Sequence, residues 1–134
     1  MPLRYMLDTN IVSYVLRARD PKLAARVIRS EDLVCTSSVV LAELHYGAEL
    51  SGKREHNLGQ IADLVAVLPV LDFDSGAAEH YGQIRAALKR AGQPIGALDP
   101  MIAGHARSRG LTLVTNNERH FSRIAGLAIE NWAN

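Results

Sequence analysis

The sequence lacks the features of a secreted, membrane-spanning or polybasic protein. It contains one cysteine, Cys35, so a disulfide framework is excluded and a reducing compartment is indicated. It has no apolar run of about 18 residues, and its first residues lack the apolar core of a signal peptide. Charge of one sign is also scarce, because 15 basic side chains against 14 acidic ones leave a net charge of +1. We therefore expect a soluble cytoplasmic protein that does not bind its partners through bulk charge.

Motifs for nucleotide cofactors and zinc are missing as well. There is no Gly-rich Walker loop, and Gly82, Gly92 and Gly96 follow no dinucleotide-binding pattern. The five histidines show no His-Glu-x-x-His spacing, and one cysteine cannot build a thiolate site. What the chain does have is an average globular composition, 48% apolar and 22% charged, without repeats or linkers. Residues 1–134 are predicted to form a single domain.

Short apolar runs alternate with segments of helical periodicity. The predicted strands lie at residues 3–7, 33–35, 68–73, 111–114 and 127–130. Two predicted helices cover residues 38–50 and 55–67. A third is capped by Asp74 and ends at Gly92. The fourth has Asp99 as its N-cap and Pro100 at its first position, and it ends at Gly110. This alternation predicts an α/β fold of three layers, with a central parallel sheet of four or five strands between helices.

Asp8 follows the first predicted strand and therefore lies at its carboxyl end. Ligands bind at that edge of open α/β sheets, which makes Asp8 a candidate site residue. A lone Asp here is equally explained as the N-cap of the next helix, a role that Asn10 can also fill.

Glu43 lies in the middle of an apolar helix. Its neighbours one turn away on the same face are Val39, Val40, Tyr46 and Gly47. An unpaired carboxylate buried there would cost several kcal/mol, so we expect a cation, a hydrogen-bond network or a metal beside it. The alternative is that the stripe lies at the helix end and Glu43 reaches water or an Arg.

Asp99 shares a helix face with Ile102, Ala103 and Ala106 and so points towards the sheet. As an N-cap it has a structural role, but the long preceding loop, residues 92–98, is typical of a functional site. After the fourth strand come Thr115, Asn116, Asn117 and Glu118. If the strand order reverses beside the first strand, this end and Asp8 flank one crevice. The alternative is an Asn-rich turn with an exposed Glu118.

Several carboxylates in one crevice repel each other unless a cation lies between them. Mg²⁺ and Mn²⁺ prefer oxygen ligands, and such a site suits phosphodiester hydrolysis. Arg makes up twelve of the fifteen basic residues, and its planar fork suits phosphate. The acids thus predict a metal-dependent enzyme acting on a phosphodiester.

These motifs, in this order and spacing, resemble those of PIN-domain nucleases and more narrowly VapC-type toxin ribonucleases. The matching stretches span nearly the whole chain, at residues 6–10, 37–47, 82–85, 95–106, 113–117, 121, 126–127 and 130–132. The resemblance implies a PIN-like sheet with helices on both sides and an Mg²⁺- or Mn²⁺-dependent endoribonuclease site. By position, Asp8 and Asp99 would bind the metal, and Glu43 would complete the cluster or hold a water on the metal. The residues that would support the site are Thr9, Asn10, Thr115 and Asn116.

The resemblance also implies partners. The chain would be the toxin of a type II toxin–antitoxin pair that cuts transfer or ribosomal RNA. A VapB-type antitoxin would neutralise it by inserting a C-terminal segment into its groove. A homodimer, a larger toxin–antitoxin hetero-oligomer and operator binding through the antitoxin are further expectations.

One position departs from the family pattern. An acid often stands two residues after the threonine that corresponds to Thr115, and here Asn117 takes its place. Asn supplies a carbonyl oxygen but no charge, so a second metal would be held weakly unless the turn aims Glu118 inwards. We include Asn117 and Glu118 among the candidate catalytic residues.

Two other functions stay open from the residues alone. Asp8-Thr9-Asn10 faintly resembles the Asp-x-Asp start of haloacid-dehalogenase-type phosphatases, although the second acid is absent and Glu43 is left unexplained. A non-catalytic domain with a regulatory acidic pocket is the other, because fold does not dictate function.

Overall fold

A computed structural model describes residues 2–133 of the chain. The strands are β1 (Tyr5–Leu7), β2 (Val34–Ser37), β3 (Val70–Leu71), β4 (Thr112–Val114) and β5 (Ile129–Glu130). The helices are α1 (Thr9–Leu16), α2 (Pro21–Arg29), α3 (Ser38–Leu50), α4 (Arg54–Val65), α5 (Ser75–Arg90), α6 (Leu98–Ser108) and α7 (Glu118–Phe121). The predicted α/β architecture with a parallel sheet is confirmed, with five strands.

The sheet order is β3-β2-β1-β4-β5, and all four strand pairs are parallel. The order reverses beside β1, because β1 pairs with β2 on one side and β4 on the other, so the condition for a shared crevice beside Asp8 is met. Met6 lies opposite Cys35 in β2 and Leu113 in β4, and all three side chains are fully buried. The carboxyl ends of these central strands therefore meet at one edge of the sheet.

Side-chain caps begin several helices. Asp8 Oδ1 accepts from the Ile11 N–H at 3.0 Å at the start of α1, and Asp74 Oδ1 accepts from the Ala77 N–H at 3.0 Å at the start of α5. The predicted cap at Asp74 is thus confirmed. For Asp8 the capping role and the edge position are both present.

The expected N-cap at Asp99 is wrong. Helix α6 begins at Leu98, its N-cap is Ala97, and no side chain caps it. Pro100 falls third in the helix rather than first, which is allowed because none of the first four N–H groups has an intrahelical partner. Asp99 is consequently second in the helix, and its carboxylate does not cap the helix.

Helices α5 and α6 pack closely at one glycine. A Cβ on Gly104 would come within 2.6 Å of the Tyr81 amide nitrogen and 2.9 Å of the Tyr81 Cα. Only glycine permits this approach, so it determines how near α6, with Asp99 at its start, lies to α5. Within residues 2–133, no helix combines the length and apolar character needed to cross a bilayer.

Candidate active site

Three carboxylates from separate elements line one small pocket. Asp8 follows β1, Glu43 lies in the middle of α3, and Asp99 lies in the first turn of α6. The pocket measures about 90 Å³, and its remaining lining residues are Thr9, Asn10, Asn117 and Phe121. The strand order brings Asp8, Glu43 and Asn117 together, because β1 lies between β2, which leads into α3, and β4, which leads to Asn117.

Asp8 is the most buried of the three acids, with 5% of its surface exposed. Burial raises the pKa of its carboxyl group to about 6, and the nearby carboxylates of Asp99 and Glu43 act in the same direction. Hydrogen bonds from the Thr115 hydroxyl and the Ile11 N–H act in the opposite direction. The ionised form is thus destabilised at this place unless a cation compensates it.

Glu43 has a hydrogen-bond partner. The Thr9 hydroxyl donates to Glu43 Oε1 at 2.6 Å, so α1 holds a carboxylate of α3. The expected apolar stripe is only half present: Val39 and Val40 are buried, but Tyr46 is 68% exposed. Glu43 therefore lies half-buried at the border of the core, because the outer half of α3 faces away from the sheet.

Asp99 lies beside a histidine. His120 Nδ1 is 3.5 Å from Asp99 Oδ2 and 2.9 Å from Asn117 Nδ2. Sequence reasoning missed His120, having treated the histidines as solvated or packed against helices. The only signal was that His120 stands three residues after Asn117 in the sequence. Because α7 is helical, residues three apart lie on the same side of one turn, and His120 is therefore beside Asn117.

The predicted supporting residues connect the loop after β4 to the rest of the edge. Thr115 Oγ1 accepts from the Asn117 N–H at 2.9 Å while its hydroxyl donates to Asp8. Asn10 Nδ2 donates to Asn116 Oδ1 at 3.5 Å, and Asn116 Nδ2 donates to the Tyr14 hydroxyl at 3.1 Å. These contacts link the loop to α1.

Glu118 lies outside the pocket. It is exposed, and its Oε2 accepts from Asn131 Nδ2 at 3.3 Å. Helix α7 starts at Glu118 and turns this side chain towards the segment after β5. The expectation that Glu118 could reach the site is not supported by this arrangement.

A buried contact between Ser37 and His105 joins two of the acid-bearing helices. Ser37 Oγ accepts from the Val39 N–H as the cap of α3 and lies 2.7 Å from His105 Nδ1 in α6. Both side chains are fully buried, and burial lowers the pKa of His105. The contact fixes α3, which carries Glu43, against α6, which carries Asp99.

The donor set is made of oxygen atoms. It comprises the carboxylates and the Asn117 amide, and the pocket leaves space for water. Mg²⁺ and Mn²⁺ are usually held by such a combination of carboxylates and waters. No three His, Cys, Asp or Glu side chains among residues 2–133 lie close enough together to enclose a metal by themselves. The residues fit an open site for a hard divalent ion and do not fit a closed structural one.

The PIN domain family matches residues 5–127. The tRNA(fMet)-specific endonuclease VapC of Shigella flexneri is 50% identical over 98% of this chain and 99% of its own length. The chain belongs to the PIN-domain family, among the VapC ribonucleases. The crystal structure of DNA-bound VapBC from Salmonella typhimurium contains a chain with 47% identity and a TM-score of 0.93, matched over 98% of this chain and 99% of that one. VapBC2 from Rickettsia felis, bound to a promoter DNA fragment, gives 36% identity, a TM-score of 0.91 and coverage of 99% and 100%.

The VapC relationship favours an enzyme, and a nuclease rather than a phosphatase, among the functions that the sequence left open. PIN-domain nucleases are generally dependent on divalent metal ions, which agrees with the donor set at the sheet edge. The relatives are named as endonucleases and ribonucleases. The haloacid-dehalogenase alternative therefore loses its basis.

Proposed function

We propose that this chain is an Mg²⁺-dependent endoribonuclease toxin that cuts transfer RNA and is neutralised by a VapB-type antitoxin. The observation that carries the proposal is the pocket shared by Asp8, Glu43 and Asp99, in which a carboxylate that is 5% exposed faces two others. Such a cluster is costly without a cation and useful with one.

Asp8 and Asp99 would hold the ion, because both line the pocket and the charge of Asp99 acts directly on the Asp8 carboxyl group. When bound, Mg²⁺ neutralises charge on phosphate oxygens and makes water a better nucleophile. Glu43, with Oε1 held by Thr9, has Oε2 available to accept a hydrogen bond from the attacking water. Asn117 would add a neutral oxygen, and His120 would orient both Asn117 and Asp99.

The substrate proposal comes from the relatives. The Shigella flexneri and Salmonella typhimurium proteins are named tRNA(fMet)-specific endonucleases, at 50% and 48% identity. We propose initiator transfer RNA as the substrate of this chain too, with ribosomal RNA as the second candidate.

The proposal of an antitoxin partner rests on an apolar groove that shares no residue with the carboxylate pocket. Exposed Ile28 and Val67, at 67% and 77%, border a groove whose floor includes Val12, Val15 and Leu64. A contiguous apolar surface of this kind suits an amphipathic segment of an antitoxin. Operator binding would occur through the antitoxin, within a larger hetero-oligomer, as the DNA-bound VapBC structures from other organisms suggest.

A homodimer is proposed as well. Tyr46 and Leu50 lie one turn apart on α3 and are 68% and 70% exposed, which makes them the candidate contact with a second copy. Light scattering of wild type and Leu50→Lys tests this, with dimer expected for the first and monomer for the second.

The decisive experiment incubates antitoxin-free protein with initiator transfer RNA and Mg²⁺. We expect site-specific cleavage that stops with chelator and is lost, by roughly a hundredfold or more, in Asp99→Asn with its fold retained. Glu118→Gln is the matched control, since this acid lies outside the pocket, and it should cut like wild type. Normal cleavage by Asp99→Asn, or cleavage in excess chelator, would contradict the proposal.

A further inference from the structure

A second, larger groove opens directly beside the carboxylate pocket. It lies between α1, α3 and α4, measures about 250 Å³, and shares Thr9, Asn10 and Glu43 with the pocket. Any RNA whose phosphodiester reaches the carboxylates must place its neighbouring nucleotides outside the 90 Å³ pocket. The groove is the adjoining space large enough to receive one of them.

Two carboxamides in this groove are held in fixed orientations. Ser51 Oγ donates its hydrogen to the Ala48 carbonyl at 2.9 Å, so it can only accept from Asn57 Nδ2, which lies at 2.8 Å. Gln60 Nε2 donates to the Leu16 carbonyl at 3.2 Å. Each amide therefore keeps its carbonyl oxygen and one N–H for a ligand, without a flip that would exchange them.

The remaining lining suits a flat, uncharged ring with a polar edge. The apolar part is aliphatic and consists of Leu16, Leu44, Ala48 and Ile61. Besides Glu43, the only charged lining residue is Arg17, which is exposed and makes no ion pair within residues 2–133. This differs from the apolar groove around Val67, whose lining suits a protein helix.

We infer that the groove between α1, α3 and α4 is a nucleobase subsite, in which the amides of Asn57 and Gln60 pair with a base edge and Arg17 contacts an adjacent phosphate. An amide with one donor and one acceptor is the group that pairs with a base such as adenine in two hydrogen bonds. RNA is read in this way when its bases are splayed out of a loop. The inference rests on the proposed ribonuclease function and adds the place where sequence is read.

The test uses the whole chain and a panel of four transfer RNAs that differ only in one nucleotide flanking the mapped cut, repeated for each flanking position. Gln60→Ala is expected to lose roughly 5- to 150-fold in kcat/KM on the preferred RNA and to cut all four members of one panel at similar rates. Asn57→Ala should behave alike. Gln93→Ala, which removes an exposed amide outside the groove, is the matched control and should keep the wild-type pattern.

Two further measurements separate the subsite from other roles. The rise in melting temperature with Mg²⁺ should be the same in Gln60→Ala as in wild type, because Gln60 does not line the carboxylate pocket. Arg17→Ala should weaken cleavage of every RNA equally. It should also lower the slope of log KM against log salt concentration by about 1, because one phosphate contact is lost.

The outcomes are distinguishable from failure of the proposed function. If wild type cuts no RNA, the ribonuclease proposal fails. If wild type cuts and Gln60→Ala shows an unchanged rate, or an equal loss on all four RNAs, the subsite inference is wrong. Unchanged cleavage together with weaker inhibition by a purified antitoxin would also overturn it, assigning the groove to the protein partner.

Discussion

Asp8 combines two roles that usually belong to different residues. Its Oδ1 caps α1, and the same carboxyl group faces Asp99 and Glu43 in the pocket. Asp74 is also an N-cap, yet its pKa is lowered, mainly by the hydrogen bond from the Ala77 N–H, because it is exposed. The two aspartates therefore have opposite effects on stability at neutral pH.

Asp8→Asn should make the metal-free protein more stable at pH 7. The folded-state pKa of Asp8 is raised from 3.8 to about 6. Protonation of this carboxyl group therefore stabilises the fold fully below pH 3.8, and this stabilisation is lost as the pH rises through 6. The shift corresponds to about 3 kcal/mol, and asparagine keeps the cap. Urea denaturation with chelator at pH 4 and pH 7 measures this.

Asp74→Asn is the matched control for that prediction. Its carboxylate stabilises the fold above its unfolded pKa, so this variant should lose stability at pH 7 rather than gain it. Addition of Mg²⁺ should raise the melting temperature of wild type and Asp74→Asn but barely that of Asp8→Asn. If the wild type and Asp8→Asn had the same free energy of unfolding at pH 7, the ionised Asp8 carboxylate would not destabilise the fold and the prediction would be wrong.

Asn117→Asp should bind the metal more tightly. Asn117 lines the pocket and supplies no charge, whereas an aspartate would add a fourth carboxylate to those of Asp8, Glu43 and Asp99. Titration with Mn²⁺ should give a Kd lower by roughly tenfold, because affinity for hard ions follows ligand charge. Asn116→Asp is the control, since the Asn116 amide bonds to Tyr14 outside the pocket; equal effects would place Asn117 outside the ligand set.

At the scale of elements, the start of helix α6 differs from its prediction in a way that bears on the site. The Asp-Pro pair predicted a helix start at Asp99, but α6 begins at Leu98 without a side-chain cap. The difference arises because Pro is tolerated throughout the first turn, so its presence does not specify the first position. It matters for function, since a capping carboxylate would be committed to backbone N–H groups.

Gly104→Ala should disturb the site through α6. The new Cβ would meet backbone atoms of Tyr81 at 2.6 and 2.9 Å, and backbone cannot rotate away, so the helix must shift. We expect a loss of roughly 1–3 kcal/mol in the free energy of unfolding and slower RNA cleavage, because Asp99 shifts with the helix.

Gly82→Ala is the control for the helix contact. Gly82 lies in the partner helix α5, and an added methyl group there would have nothing within 4 Å, so alanine should be neutral or add up to about 1 kcal/mol. Chemical denaturation and single-turnover cleavage compare the two variants. Equal stability of both would show that the approach at Gly104 is not tight.

At the scale of the whole molecule, catalysis and neutralisation are proposed for different surfaces. Val67→Asp should weaken antitoxin binding by roughly tenfold or more while leaving RNA cleavage unchanged, because it puts a charge into a mainly apolar groove that shares no residue with the pocket of Asp8, Glu43 and Asp99. Val65→Asp, two residues away and outside the groove lining, is the matched control. Binding assays with a purified antitoxin measure this, and equal loss in both variants would place the contact elsewhere.

The sequence by itself determined the α/β class, most element positions and the acids at strand and helix starts. Alternation of apolar runs and helical periodicity is a local signal, and it placed α3 at Ser38–Leu50 without error. The near-neutral net charge was also informative. If Asp8, Glu43 and Asp99 are committed to a metal, 15 basic side chains remain against 14 − 3 = 11 acidic ones, a surplus of 4 that can hold RNA phosphates.

Only the tertiary structure decided which polar side chains meet. Glu43 bonds to Thr9 across 34 residues, and His120 lies against Asp99 across 21, so neither contact leaves a pattern in a local window. Glu118 also follows a strand end, as the site residues do, but its side chain turns away from the pocket and bonds to Asn131. Its place in the sequence therefore gave a wrong indication of where its side chain points. Sequence spacing specifies which residues stand at an edge, whereas strand order and the short helix after β4 determine the direction in which each side chain points.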